Sequence, residues 1–317
     1  MKRRRLQSAG GFTLIEMMIS LAIATLVILY MAQTYGDTSK LYVHNKEKFQ
    51  TETRAQLASA YISQEIRNAG YIVGWDATPD SPPIAVNQPI TGATVDPQTE
   101  SLTVRYAQGP LTGAGAPVAV LNGVFPAGSL TLTVQPLTFA IGNGTLVAIY
   151  SPPTTVNVRR VAAASNVGST TITLLNPTSI NFPAGAVVAI VQESSFWIQS
   201  GNLLMRTAGA NQQIASNVED LQIVFINNDQ SLIGYVVNGA TDKLSAAFAG
   251  MTTAQLLNVR AVRLSLTNRT SRALVDVPPA IPPTLEDHDR SGQPGDRVLR
   301  VVEQTTVYLR NFGVLGP

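Results

Sequence analysis

The stretch that constrains this chain most runs from Met17 to Gly36, where no side chain carries a charge. As a helix it reaches about 30 Å, the thickness of a bilayer's hydrocarbon core. The run is therefore expected to stand in lipid. Lys2, Arg3, Arg4 and Arg5 precede it, and no comparable basic cluster follows. Basic flanks stay on the cytoplasmic side, so the N-terminus is expected inside and the rest of the chain outside. One residue does not suit a plain anchor. Glu16 stands at the head of the run, five residues after a glycine pair, in "GGFTLIEMMISLAIATLVILYMAQ".

Three readings compete for this segment. A secretory signal needs a small-residue cleavage site after the apolar run. The run ends "LYMAQTYGD", a poor match. A plain single-span anchor fits the hydropathy but leaves Glu16 unexplained. The third reading cuts the chain between Gly11 and Phe12 and keeps the run as a permanent helix. That cut removes the cationic leader and frees an α-amine on Phe12, four residues from Glu16. A carboxylate near the bilayer centre costs roughly 2.5–3.5 kcal/mol or more, so it seeks a cation. The freed amine of a neighbouring copy can supply one if helices pack side by side. Glu16 would then set the register of docking, because an unpaired partner is expensive in low dielectric. The plainer alternative is that Glu16 complements the positive end of its own helix.

These residues carry a resemblance. "GGFTLIEMMISLAI" is similar to the class III signal of type IV pilins and pseudopilins: basic leader, Gly11 before the cut, Phe12, Glu16, then an apolar helix. The resemblance implies cleavage after Gly11 by a membrane-embedded prepilin peptidase, N-methylation of Phe12 and an assembly role for Glu16. Many major pilins have a proline near the place of Gln33, and this chain has none there; Gly36 is the residue that could loosen the helix instead.

The helical pattern continues well beyond the lipid-grade run. Residues 37–68 contain no proline, and Gly70 is a natural stop. Ala55, Ala58, Ile62, Ile66 and Ala69 recur at steps of three and four and form one stripe that should pack on a sheet. Leu57 and Tyr61 lie off that stripe. They either touch neighbouring subunits or edge the same core. The expected layout is a leader (1–11), a transmembrane and assembly half-helix (12–36), an amphipathic half-helix (37–70) and a globular head (71–317). From Phe12 to Ala69 the helix would measure about 87 Å.

After Gly70 the texture changes. "PDSPPIAVNQPITGATVDPQ" is too rich in proline for helix and reads as turns. Short strand-like runs follow: "SLTVRYA", "SLTLTV", "TLVAIYS", "TTITLL", "AVVAIVQ", "SSFWIQ", "LQIVFIN", "VRAVRLSLTNRT" and "TTVYLRNF". Several alternate apolar with polar, as half-buried antiparallel strands do. "ASNVEDLQIVF" reads as a short helical turn before its strand. A Phe-Pro-Ala-Gly turn precedes a strand twice, at Phe125 and Phe182, either as a reused turn or as a duplicated hairpin. The fold class is α+β: a long N-terminal helix packed on an antiparallel β-rich head.

Little else in the sequence suggests chemistry. Only 13% of residues are charged, and serine, threonine, asparagine and glutamine supply much of the polarity. The net charge of +2 comes from the leader; without Lys2, Arg3, Arg4 and Arg5 the 22 basic residues fall to 18 against 20 acidic ones. No basic face for nucleic acid remains. Arg260, Arg263, Arg269 and Arg272 are spread along one strand and its turn, as surface decoration or as a contact for an acidic partner. There is no cysteine, which removes thiol catalysis, thiolate metal sites and disulfides. No "H-E-x-x-H", "G-x-S-x-G" or phosphate loop occurs. His44 lies on the expected helix near Lys46 and Lys48. His288 sits among Glu286, Asp287, Asp289 and Asp296, oxygen donors of the kind calcium uses. Their spacing departs from a calcium loop, and Arg290 stands where a ligand would be, so a solvated loop is the simpler reading. No catalytic, cofactor or metal residue is assigned.

Later segments extend the resemblance. "YISQEIRNAGY", "SSFWIQSGNLLMR", "IASNVEDLQIVF", "VRAVRLSLTNRT" and "TTVYLRNF" resemble landmarks of PilW-type minor pilins, relatives of the larger minor pseudopilins of type II secretion. Residues 77–169 lack such landmarks. The resemblance implies a structural, non-enzymatic role: a minor pilin held in the inner membrane with its head in the periplasm, then carried into a pilus. Its implied partners are the prepilin peptidase, other minor pilins, the major pilin, the inner-membrane assembly platform with its ATPase, and a tip adhesin. Motility, adhesion and DNA uptake lie downstream of such a fibre. A minor pseudopilin serving protein export is the alternative, and a tethered periplasmic protein unrelated to fibres is a second.

Overall fold

A computed structural model describes residues 13–73, 82–87, 89–97, 99–107, 118–151, 155–233, 258–274, 278–283 and 295–309. The chain divides into two units, residues 1–50 and residues 51–317. One helix, α1 (Leu14–Asn68), belongs to both. It runs through Gly36 without a break, so the loosening expected there is not seen. The helix ends where the sequence indicates: Gly70 takes φ 76°, the left-handed conformation that costs a residue without a Cβ least.

In the second unit the expected stripe is the buried one. Ala55, Ala58, Ile62, Ile66 and Ala69 are all buried to 1% exposure or less. Each isoleucine so placed contributes roughly 1.5–3 kcal/mol. Two polar contacts orient the helix: Ser59 Oγ meets Thr305 Oγ1 at 2.9 Å, and the Tyr106 hydroxyl donates to Glu65 at 3.0 Å. Burial, reinforced by the Glu65 carboxylate, holds the Tyr106 hydroxyl above its ordinary titration range. Leu57 stays largely exposed, and Tyr61 sets its ring edge-on to Phe196 at 6.3 Å.

The helix packs on two antiparallel sheets. The larger is built around a thirteen-residue strand, β8 (Val187–Gln199), which forms from two runs read separately in the sequence. The first half of β8 lies between β3 (Val118–Val120) and β5 (Leu146–Ser151), with β6 (Thr155–Arg160) outside β5. Its second half lies between β2 (Leu102–Ala107) and β9 (Asn202–Thr207), with β1 (Ile84–Val86) and β10 (Ala210–Ser216) beyond them. The β8–β9 connection is Ser200-Gly201, at φ 52° and 70°, the two positive values a tight hairpin turn requires. Both carboxylate oxygens of Asp96 accept from these two backbone N–H groups, at 2.8 and 2.9 Å.

The second sheet has the order β12 (Leu232–Ile233), β11 (Val218–Asn227), β13 (Val259–Arg269), β14 (Arg300–Tyr308). The helical turn expected before β11 is absent; β10 and β11 are separated by Asn217 alone, bent at φ 58°. Arg300 opens β14 and holds two carboxylates, Glu219 at 2.6 Å and Asp296 at 2.6 Å. Hydrogen bonds from Arg300 keep the Asp296 carboxyl below the usual carboxylate range. Because the folded value is depressed, its stabilising effect is full above about pH 4 and is lost as pH falls through the folded value. Acid titration should therefore separate the wild type from Asp296→Asn: the variant loses part of the fall in stability below about pH 4. Identical acid profiles would contradict the assignment.

Between β2 and β8 the chain makes a long excursion with a core of its own. Leu121, Phe125, Leu132, Val134, Leu137, Ile141, Val147, Ile149, Val161, Ile172, Leu174, Phe182 and Val188 form that core. None of them belongs to the core under the helix, which takes none of the described residues between 108 and 190. A third, small cluster is formed by Val73, Leu146, Ala148, Val158 and Val191. A two-stranded ribbon, β4 (Thr131–Thr133) against β7 (Thr171–Thr173), completes the excursion.

Candidate processing and assembly site at the N-terminus

Gly11 and Phe12 lie outside the described residues. Thr13 and Glu16 lie within them, at the start of α1. The Thr13 backbone N–H and its hydroxyl both donate to Glu16 Oε2 at 2.9 Å, and the Glu16 N–H donates back to Thr13 Oγ1 at 3.3 Å. This is a reciprocal capping box, Thr-x-x-Glu, satisfying two of the donors a helix leaves open at its first turn. In a single chain, then, Glu16 caps its own helix, as the plainer sequence reading has it. Thr13 was passed over in the sequence, although the spacing "TLIE" is the signal for it.

From Leu14 to Met31 the large apolar side chains are exposed. No residue of the most apolar window is buried, and that window is long and apolar enough to cross a membrane. Two of the hydroxyls in and just past the apolar run, those of Thr25 and Thr34, do not demand water. Thr25 donates to the Leu21 carbonyl at 2.8 Å and Thr34 to the Tyr30 carbonyl at 2.9 Å. A hydroxyl bonded back to its own helix is tolerated in hydrocarbon. Leu14, Leu21, Ile28, Tyr35, Tyr42 and Phe49 recur every seven residues, and each is at least 66% exposed. A seven-residue apolar repeat keeps one seam along a helix facing a packed neighbour.

Residues 6–32 match the family model of the prokaryotic N-terminal methylation motif. The N-terminal region is type IV pilin-like. The match covers the basic leader's end, the glycine pair, Phe12, the capping box and most of the apolar run. Among solved structures, a type IV-like pilin from Thermus thermophilus is similar at 12% identity, covering 82% of this chain and 96% of that one with a TM-score of 0.39. No curated protein matches the chain.

Of the other residues considered in the sequence, Asp296 is taken up by Arg300, while Glu286, Asp287, His288, Asp289 and Arg290 lie outside the described residues. Among the described residues no group of three or more histidines, aspartates or glutamates could hold a metal. Of the spread arginines, Arg260 donates to Asn228 Oδ1, and Arg269 stands close enough to Asp296 to help hold it charged.

Proposed function

We propose that the chain is a structural minor pilin, delivered to the inner membrane by its apolar helix and used in initiating a type IV pilus or capping its tip. The observation that carries this reading is the methylation motif running without interruption into a capped, fully exposed apolar helix and from there into a β-rich domain. On this reading a prepilin peptidase cuts after Gly11 and methylates Phe12. The mature helix then packs against those of other minor pilins and the major pilin, driven by the assembly platform, while the head faces the periplasm and later the cell exterior. Glu16 serves twice: it caps its own helix and, in the assembly, faces the freed Phe12 amine of a neighbouring copy or pilin.

Mass spectrometry of the protein recovered from the envelope tests the first step. The expected N-terminal peptide begins at N-methylated Phe12, and Gly11→Arg blocks its formation. An intact Met1 on the wild-type protein would overturn the proposal. Co-purification from membranes then distinguishes its finer part. Other minor pilins are expected with it; secretion-system components in their place would assign the chain to protein export.

A further inference from the structure

The excursion between β2 and β8 contains a symmetry independent of the proposed function. Its hydrogen-bonded contacts come in matched pairs, related by a shift of 40 residues up to Gln135 and of 41 from Leu137 on. The Asn122 N–H donates to the Thr133 carbonyl, and the Ala162 N–H to that of Thr173. Gln135 donates to Val120, and Leu175 to Arg160. Contacts that cross the excursion obey the same rule. Gly128 donates to Thr178, and Gly168 to Leu137; Gly144 donates to Val161, and Gly185 to Leu121. The bridge Phe125↔Phe182 is matched by Ser165↔Ile141, with the roles of the two segments exchanged.

The strands close around the same axis. Val118 pairs with Ala189, and its counterpart Val158 pairs with Ala148. Two pairs join a residue to its own counterpart and so lie on the axis: Leu132↔Ile172 and Ala148↔Ala189. The four glycines at positive φ also match, Gly128 with Gly168, both at 84°, and Gly144 with Gly185 at 78° and 85°. Burial follows suit: Leu121 and Val161, Leu132 and Ile172, Val134 and Leu174, Ile141 and Phe182, Val147 and Val188 are each buried in both copies.

We propose that residues 118–150 and 158–191 are the halves of an internal duplication, folded as an intertwined pseudo-dimer and set as a separate module into a pilin-like head. The sequence keeps a trace of it in "GSLTLT" beside "GSTTIT" and in "LVAI" beside "VVAI". The more conspicuous Phe-Pro-Ala-Gly echo is out of register with it. Those two turns are not counterparts; they face each other across the axis. From residue 118 to residue 190 the only charged side chains are Arg159 and Arg160, so surface charge plays little part in holding the halves together. What closes them is a surface complementary to itself, as in any isologous contact.

Two experiments on the full-length protein test the duplication. In the first, residues 158–191 are replaced by a second copy of residues 118–150, and the converse chimera is made from 158–191. The first chimera sets phenylalanine opposite isoleucine at both bridges; the second sets serine opposite phenylalanine at both. At least one chimera is expected to retain a protease-resistant fragment covering the module. Loss of that fragment from both overturns the proposal. Hydrogen exchange on the unaltered protein supplies the second readout. Counterpart amides such as Asn122 and Ala162, or Gln135 and Leu175, are expected to exchange within about tenfold of each other and to be lost in one opening event. Halves that open separately, with rates differing a hundredfold or more, overturn it.

Discussion

Glu16→Ala is expected to leave leader cleavage intact and to lower incorporation into fibres by at least about tenfold. Alanine removes two things at once, the cap on Thr13 and the negative charge, and two further variants separate them. Glu16→Gln keeps an oxygen that can accept from the Thr13 N–H but carries no charge, since glutamine serves in a capping box as glutamate does. Thr13→Val keeps the charge and removes the hydroxyl half of the box, at a cost of about 1 kcal/mol in the first helical turn. If the carboxylate pairs with a neighbour's amine, Glu16→Gln fails to assemble as Glu16→Ala does, while Thr13→Val assembles nearly normally. Breaking a buried pair by removing one partner costs on the order of 3–5 kcal/mol, well beyond a lost cap. The measurement is the amount of mature protein in the sheared fibre fraction relative to the membrane pool. Normal incorporation of Glu16→Gln would remove the pairing account and leave Glu16 a capping residue only.

Glu193→Ala should be the most destabilising single change to a charged residue described here. Arg105 is buried, with 6% of its side chain exposed, and its Nε donates to Glu193 at 2.7 Å while Nη1 donates to the Pro82 carbonyl at 2.9 Å. Burial disfavours the charged guanidinium and lowers its affinity for the proton; the Glu193 carboxylate opposes that shift. Arg160, the last residue of β6, reaches the same carboxylate at 3.5 Å. Without Glu193 a buried cation has lost its counter-ion. Glu193 is itself a third exposed, which puts the expected cost near the lower end of the usual range, about 3 kcal/mol. For a unit of this size the melting temperature of the detergent-solubilised chain should fall by roughly 6–12 °C. Arg105→Met combined with Glu193→Ala should recover most of that loss, because neither charge is then stranded. If the double variant melts as low as the single one, the ion pair is not the cause.

Much of the architecture was legible because it follows from two periodicities. The apolar run and the stripe from Ala55 to Ala69 are helical at steps of three and four, and both elements lie where the pattern puts them. The long strands β8, β11 and β13 were legible from β-branched and aromatic runs, although β8 was read as two. Its two runs differ in pattern because each half borders a different core. What escaped were Ile84–Val86 inside a proline-rich stretch, the three-residue strand β3, and β6, β9 and β10, none of which falls in a strand-like run of the sequence; β4 and β7 lie within "SLTLTV" and "TTITLL". In β1 and β3, three residues are too few to show an alternation, and their pairing is decided by partners in other segments of the chain, β2 and β8. The duplication was half-seen for a related reason. Identity drew the eye to Phe-Pro-Ala-Gly, whereas the conserved quantity is backbone geometry, a positive φ at four glycines and a bridge ahead of each. At the N-terminus the methylation motif was legible, and the helix cap was equally legible in Thr13 and Glu16. The cap was overlooked because the membrane context made the carboxylate look solitary.

β8 threads the module and the helix-bearing sheet without interruption. Were the module the part seized by something outside the cell, tension would enter the rest of the head along the axis of that strand. The six register pairs with β2 and the six with β9 would then be sheared together, where a tether of two loops would let the module swing and peel its rungs away singly. Mechanically the joint is a lap splice, the form that resists a pull along its length far better than one across it.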